Sequence, residues 1–144
     1  MEELEGNLPV HPHRTSDNVC SRDINPFWAC QIMLATIGAL ITIGLGVFGA
    51  VAPHLAARLV CIAPVGGLGV SEIRATYGGL FIALGGACLV LESPVAYAVA
   101  GAAWLGAASM RLPSLFLDKG AFPKAIGGAA VEALPGVLLL TGAA

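Results

Sequence analysis

The run from Phe27 to Ala52, FWACQIMLATIGALITIGLGVFGAVA, contains no Asp, Glu, Lys or Arg. At about 1.5 Å of rise per helical residue it is long enough to cross a hydrocarbon layer of about 30 Å. Phe27 and Trp28 stand at its start, where aromatic rings favour the boundary between lipid and water. Gly38, Thr42, Gly46 and Gly49 recur at steps of four and three, so one stripe of this helix is small enough for another helix to approach closely. The reading that decides the fold is therefore a membrane-spanning helix rather than a soluble amphipathic one.

The rest of the chain agrees. Of 144 residues, 57% are hydrophobic and only 11% charged, against roughly 25% charged in a soluble domain. The mean hydropathy is +0.84. A net charge of −2 with seven scattered Lys and Arg offers no basic stripe for a phosphate backbone, which excludes nucleic acid as a partner. The chain opens Met1-Glu2-Glu3-Leu4-Glu5 and stays polar to Asn25, unlike a secretory signal. Residues 1–26 read as a polar tail and 27–144 as the membrane domain. His11-Pro12-His13 in that tail reads as a solvated extended segment rather than a metal site.

Beyond Ala52, the residues Pro53, Pro64, Gly66, Gly67 and Gly69 end the first span. His54 to Ile62 reads as a short interfacial helix with Arg58 on its wet side. Ser71 is a suitable N-cap for the second helix and Glu72 suits its first turn, so that helix is expected from Ser71 to about Leu91. Ser93-Pro94 opens a third. It is apolar from Val95 to Met110 and is expected to pass Pro113 with a kink and end near Asp118. A fourth starts at Phe122-Pro123 and runs to the C-terminus, with a kink expected at Pro135. Four spans joined by short links give an all-α, up-down bundle with both termini on one side. The link ends carry Arg58, Lys119 and Lys124 and the terminal side Arg14 and Arg22, which leaves the orientation open.

Glu132 is the sole charge between Ala125 and Ala144. A carboxylate at bilayer depth costs about 2.5–3.5 kcal/mol on insertion scales and calls for a partner or a task. Gly101, Trp104, Ala108, Arg111, Leu115 and Asp118 share one face of the third helix. A hairpin turn centred between Ala121 and Phe122 sets Arg111 opposite Glu132, and Asp118 beside Lys124. On the second helix, Arg74, Tyr77, Gly78, Phe81, Gly85 and Cys88 share a face, and the long side chain of Arg74 is expected to reach toward the same pair. The expected cluster is thus Arg74, Tyr77, Arg111, Asp118 and Glu132. Gly38, Gly46, Gly49, Gly78 and Gly85 are the expected helix-packing positions.

The segment Ser71-Glu72-Ile73-Arg74-Ala75-Thr76-Tyr77-Gly78-Gly79-Leu80, followed by Gly85, resembles the signature of a family of small bacterial membrane proteins, domain of unknown function 4345. The resemblance runs from about Ile32 to Leu140. It implies a four-helix membrane protein with an Arg-Ala-x-Tyr-Gly-Gly segment opening helix two. It also implies an Arg followed by a Ser and a turn after helix three, and an acid in helix four. Those positions here are Arg74 to Gly79, Arg111, Ser114, Asp118-Lys119-Gly120 and Glu132, with Lys119 interposed in the turn. No activity comes with the family.

Function classes divide accordingly. Gly44-Leu45-Gly46-Val47-Phe48-Gly49 matches GxGxxG formally, but it lacks a preceding strand and a downstream acid, and the dinucleotide reading fails. Cys20, Cys30, Cys61 and Cys88 lack metal-like spacing. Cys30 and Cys88 fall near one membrane face, which leaves a disulfide open. There is no Ser–His or Cys–His pair at depth and no HExxH, which argues against an enzyme. The expected function is an accessory or structural subunit that packs against a larger membrane complex, or against copies of itself. A small proton- or solute-coupled carrier using Glu132 is the alternative, as is a binder of lipid, quinone or pigment. No obligate cofactor is implied.

Overall fold

The computed structural model describes residues 26–117 and 122–144. Helix α1 spans Pro26–Val51 and α2 Pro53–Leu59. Helix α3 (Gly66–Ile73), a π-helical segment (Arg74–Gly79) and α4 (Leu80–Leu91) follow one another without a break and make the second long rod. Helix α5 spans Pro94–Leu117, and α6 spans Phe122–Leu140 and tightens into a 3₁₀ turn at Thr141–Ala143. No strand occurs among the described residues. Four stretches are long and apolar enough to cross a membrane: Pro26–Val51, Gly66–Leu91, Pro94–Pro113 and Ile126–Ala143.

Prolines set several of these boundaries. Pro53 and Pro94 each occupy the first position of a helix, where the missing N–H is no loss. Pro113 and Pro135 lie inside α5 and α6 without ending them. The second rod begins earlier than its capping signals suggest. Ser71 is not its N-cap: that position is Val65, and Ser71 sits within α3. The reason lies in the glycines. Gly66 takes φ +61°, which a side chain resists, and a methyl at Gly69 would stand 3.0 Å from the carbonyl carbon of Pro64. Residues that read as breakers therefore let the chain turn sharply off Pro64 and start the helix at once.

Helix α1 is the central element, with the π segment and α4 on one side and α6 on another, while α5 packs on α6 and touches α4. Small residues make these approaches close. A methyl at Gly38 would lie 3.0 Å from Leu138 Cβ, one at Gly46 2.7 Å from the Ile82 nitrogen, and one at Gly85 2.7 Å from the Ala39 carbonyl oxygen. Gly49 faces the Tyr77 carbonyl so closely that a methyl would overlap it, and Gly78 rests on Ala50. Backbone thus meets backbone along α1, the close approach that small residues permit.

The core has two parts. Ala35, Ala39, Cys88, Tyr97, Ala100, Trp104 and Leu139 form a cluster drawn from all four rods. Ala56, Ala57 and Ile73, with Phe48 and Tyr77 against them, form a second that involves only α1, α2 and the second rod. In the first, Trp104 Nε1 donates to Thr42 Oγ1 at 3.0 Å, and Thr42 donates in turn to the Gly38 carbonyl at 2.9 Å. Thr42 is fully buried, so a lone polar group that would be costly there is satisfied in both directions. Cys88 is a buried free thiol whose Sγ donates to the Ala96 carbonyl at 3.6 Å, and Cys30 is free and exposed. The disulfide left open by the sequence does not form.

Candidate functional site

Arg111 lies six residues before the end of α5, and Glu132 lies in the middle of α6. Arg111 Nε donates to Glu132 Oε2 at 2.7 Å and Nη2 donates to Oε1 at 2.6 Å, the two-pronged geometry that a planar guanidinium and a carboxylate favour. The side chains are 32% and 14% exposed. This is the one ion pair among the described residues. Its register follows from the short α5–α6 connection: α5 and α6 lie against each other along much of their length, with Gly101 beneath Leu140 and Gly136 against Trp104 and Leu105.

Gly128, one helical turn before Glu132, completes the arrangement. A methyl there would lie 3.1 Å from Arg111 Cζ and Nη1 and 3.2 Å from Nε. The guanidinium therefore lies flat over bare backbone while Glu132 holds its edge. Sequence reasoning passed over this residue, although its position four before Glu132 puts it on the same face.

Tyr77 comes from the π segment. It is half-buried. Its ring stands edge-on to Phe81 (5.9 Å, 78°), and Phe81 lies tilted on Trp104 at 4.6 Å. A ladder of three rings thus runs from the π segment into the core. The Tyr77 hydroxyl makes no hydrogen bond among the described residues, and the N–H groups of Arg111 not directed at Glu132 likewise have no acceptor there. Both are accessible, since no buried side-chain polar atom among the described residues lacks a partner.

Arg74 stands apart. It is exposed and forms no ion pair with Glu132 or any other described residue, a departure from the cluster expected from spacing. The cause is local. Steps of three and four predict a common face only on an α-helix, whereas Arg74 to Gly79 is π-helical and turns through a smaller angle per residue. Arg74 thereby leaves the line of Phe81, Gly85 and Cys88. Asp118 lies outside the described residues. Among those described, no three His, Cys, Asp or Glu side chains converge.

A shallow apolar groove runs along the outer side of the α5–α6 seam, about 480 Å³ in volume and lined by Ala108, Ser109, Leu112, Ile126, Ala129, Ala130 and Ala133. It holds no charged group. The chemistry available at the pair is hydrogen-bond donation from the outer edge of a guanidinium. Compared with protein-family models, curated proteins and solved structures, the chain finds no match.

Proposed function

We propose that the chain is a non-enzymatic integral membrane protein of the bacterial cytoplasmic membrane. In this reading it is an up-down four-helix bundle with both termini on one side, and it serves as an accessory or structural subunit packed against other membrane proteins. The observation that carries the reading is where the apolar surface lies. No more than a third of any of the four candidate spans is buried. Met33, Leu40, Val47, Leu80, Val90, Val99, Met110, Val131, Leu134 and Val137 all stand exposed. A soluble monomer does not leave such a continuous apolar girdle in water, whereas a bilayer covers it. Contacts between consecutive rods, such as Gly46 on Ile82 and Gly49 on Tyr77, rise in number on one helix as they fall on the next, in keeping with up-down connectivity.

The subunit role draws on glycines that the fold leaves unused. Nothing lies within 4 Å of a methyl built on Gly79, Gly86 or Gly106. These positions face outward on the second rod and α5, where another helix can approach as closely as α1 does inside. The carrier reading has less support: the Glu132 carboxylate is held by two short bonds from Arg111, an arrangement that suits orientation of two helices better than uptake and release of a proton. The test is native electrophoresis of gently solubilised membranes carrying the wild type, Gly86→Leu or Gly106→Leu. The reading expects the wild type to resist alkaline extraction and to migrate in a complex, and the two variants to release it. Migration as a lone monomer in every case rejects the subunit role, and extraction by alkali rejects membrane integration.

A further inference from the structure

Resting on the membrane reading, we propose that α2 and the start of the second rod form a basic shelf that binds the phosphate groups of anionic phospholipids through Arg58 and Arg74. Both arginines are exposed. The packing beneath brings them to one place: Ala57 and Ile73 belong to the same buried cluster, and Arg58 follows the one in sequence as Arg74 follows the other. The end of α2 is fixed there as well. Cys61 takes φ +57° and its N–H donates back to the Arg58 carbonyl at 3.2 Å, while the Ile62 N–H donates to the Ala57 carbonyl at 2.8 Å. This is the paired closure of a helix that ends on a left-handed residue.

Depth selects a lipid. With a rise of about 1.5 Å per residue, Arg74 lies roughly 12 Å from Gly66 and roughly 25 Å from Leu91 along the second rod. An exposed charge there is tolerated where the edge of a hydrocarbon layer of about 30 Å falls close by, and the aliphatic stem of arginine lets its guanidinium reach that edge. Helix α3 then lies at head-group depth, and so does α2, which packs on Ile73. The face of α2 suits that depth. It turns Pro53, Ala56 and Ala57 inward and exposes His54 and Arg58 beside Leu55 and Leu59. Basic groups and leucines side by side fit a plane where phosphates meet acyl chains.

Charge selects an anionic head group. Glu72 is exposed and is the sole carboxylate on α2 or α3, so the two arginines are in excess. Gly142 packs on Ala35 and Gly38 on Leu138, so α6 runs antiparallel to α1 and the α5–α6 connection comes to the same end as α2. In sequence that connection adds Lys119 and Lys124 against Asp118, whereas Glu92 and the residues before α1 carry six acids against two arginines. Arg74, exposed rather than interior, tips a near balance of basic residues toward the α2 end. A guanidinium can engage a phosphate through two parallel N–H bonds.

The test uses the full chain with Cys20→Ser and Cys30→Ser and a bimane label on the exposed Cys61. It is placed in bilayers in which either phosphatidylglycerol or phosphatidylcholine carries brominated acyl chains that quench the label. The proposal expects stronger quenching by the brominated phosphatidylglycerol. Each arginine contributes a preference of about five-fold, lost separately in Arg58→Gln and Arg74→Gln and altogether in the double variant. Lysine at either position retains most of the preference, and Glu72→Gln raises it. Equal quenching by the two lipids in the wild type overturns the proposal, as does a preference that survives the double variant. Equal quenching together with a cross-link from Cys61 to a co-purified protein, absent in the double variant, overturns it in favour of an acidic segment of a protein partner. Both arginines lie outside the buried clusters, and recovery by lysine separates loss of charge from loss of fold. None of these outcomes alters the extraction behaviour that tests membrane integration.

Discussion

Replacing Gly128 by Ala should change sign with its surroundings. Inside a helix the substitution alone stabilises by about 1 kcal/mol, because Ala loses less backbone freedom. Here the new methyl would lie 3.1 Å from Arg111 Cζ and Nη1, a few tenths of an ångström inside ordinary contact. An isolated arginine tip would swing away at little cost. This one is fixed by bonds of 2.6 and 2.7 Å to Glu132, so relief requires lengthening both or shifting α6 against α5. Overpacking of that kind costs about 1–3 kcal/mol. The net expectation for Gly128→Ala in the wild type is a loss of up to about 2 kcal/mol. In an Arg111→Ala background the obstacle is gone, and the same change should stabilise by about 1 kcal/mol. Unfolding by sodium dodecyl sulfate in mixed micelles, followed by helical circular dichroism, measures all four corners of the cycle. Equal effects of Gly128→Ala in the two backgrounds would refute the reasoning that the guanidinium is clamped over that glycine.

Three further outcomes follow from the packing. Thr42→Val keeps shape but removes the acceptor for the Trp104 indole, and should destabilise by about 1–3 kcal/mol in the same assay, with Trp104→Phe in the Thr42→Val background recovering part of the loss. Gly49→Ala sets a methyl into the Tyr77 carbonyl and should cost about 3 kcal/mol or more, while Gly44→Ala, with nothing within 4 Å, should be neutral or mildly stabilising; equal folded yields would contradict the close approach. In the folded protein Cys30 and Cys61 should react with a maleimide and Cys88 only after unfolding, with no change on adding a reductant; mass spectrometry of the labelled chain counts the sites.

Much of this architecture is legible in the sequence because bilayer-scale helices announce themselves by length and absence of charge. Pro94 after Ser93 marks the start of α5 by a local rule, and the stripe Gly38, Thr42, Gly46, Gly49 marks where α1 is approached. The facing of Arg111 and Glu132 follows from a short hairpin and a regular helix on each side. Other features have no comparable local signal. A π segment has the same residue preferences as an α-helix, so nothing in Arg74 to Gly79 tells that the turn widens there, and a projection of Arg74 onto the inner face goes astray. Gly127 and Gly128 are adjacent and alike in sequence; only the path of the Arg111 side chain separates them. Gly66 and Gly69 are read as breakers because isolated glycines weaken helices, yet a sharp exit from Pro64 needs them at a helix start. The Trp104–Thr42 bond links residues 62 positions apart, and no spacing rule pairs them.

The π segment has a consequence for how this chain tolerates change. It accommodates one residue more than an α-helix of the same rise, and so acts as slack within the second rod. A single-residue deletion between Arg74 and Gly79 can be absorbed by closing that slack into regular α-helix, leaving α4 and its contacts with α1 in phase. The same deletion inside α4 has no slack to draw on, and would rotate every later residue by about 100° away from its partner on α1. The second rod is thus robust to a change of length at one place only, and that place contains Tyr77.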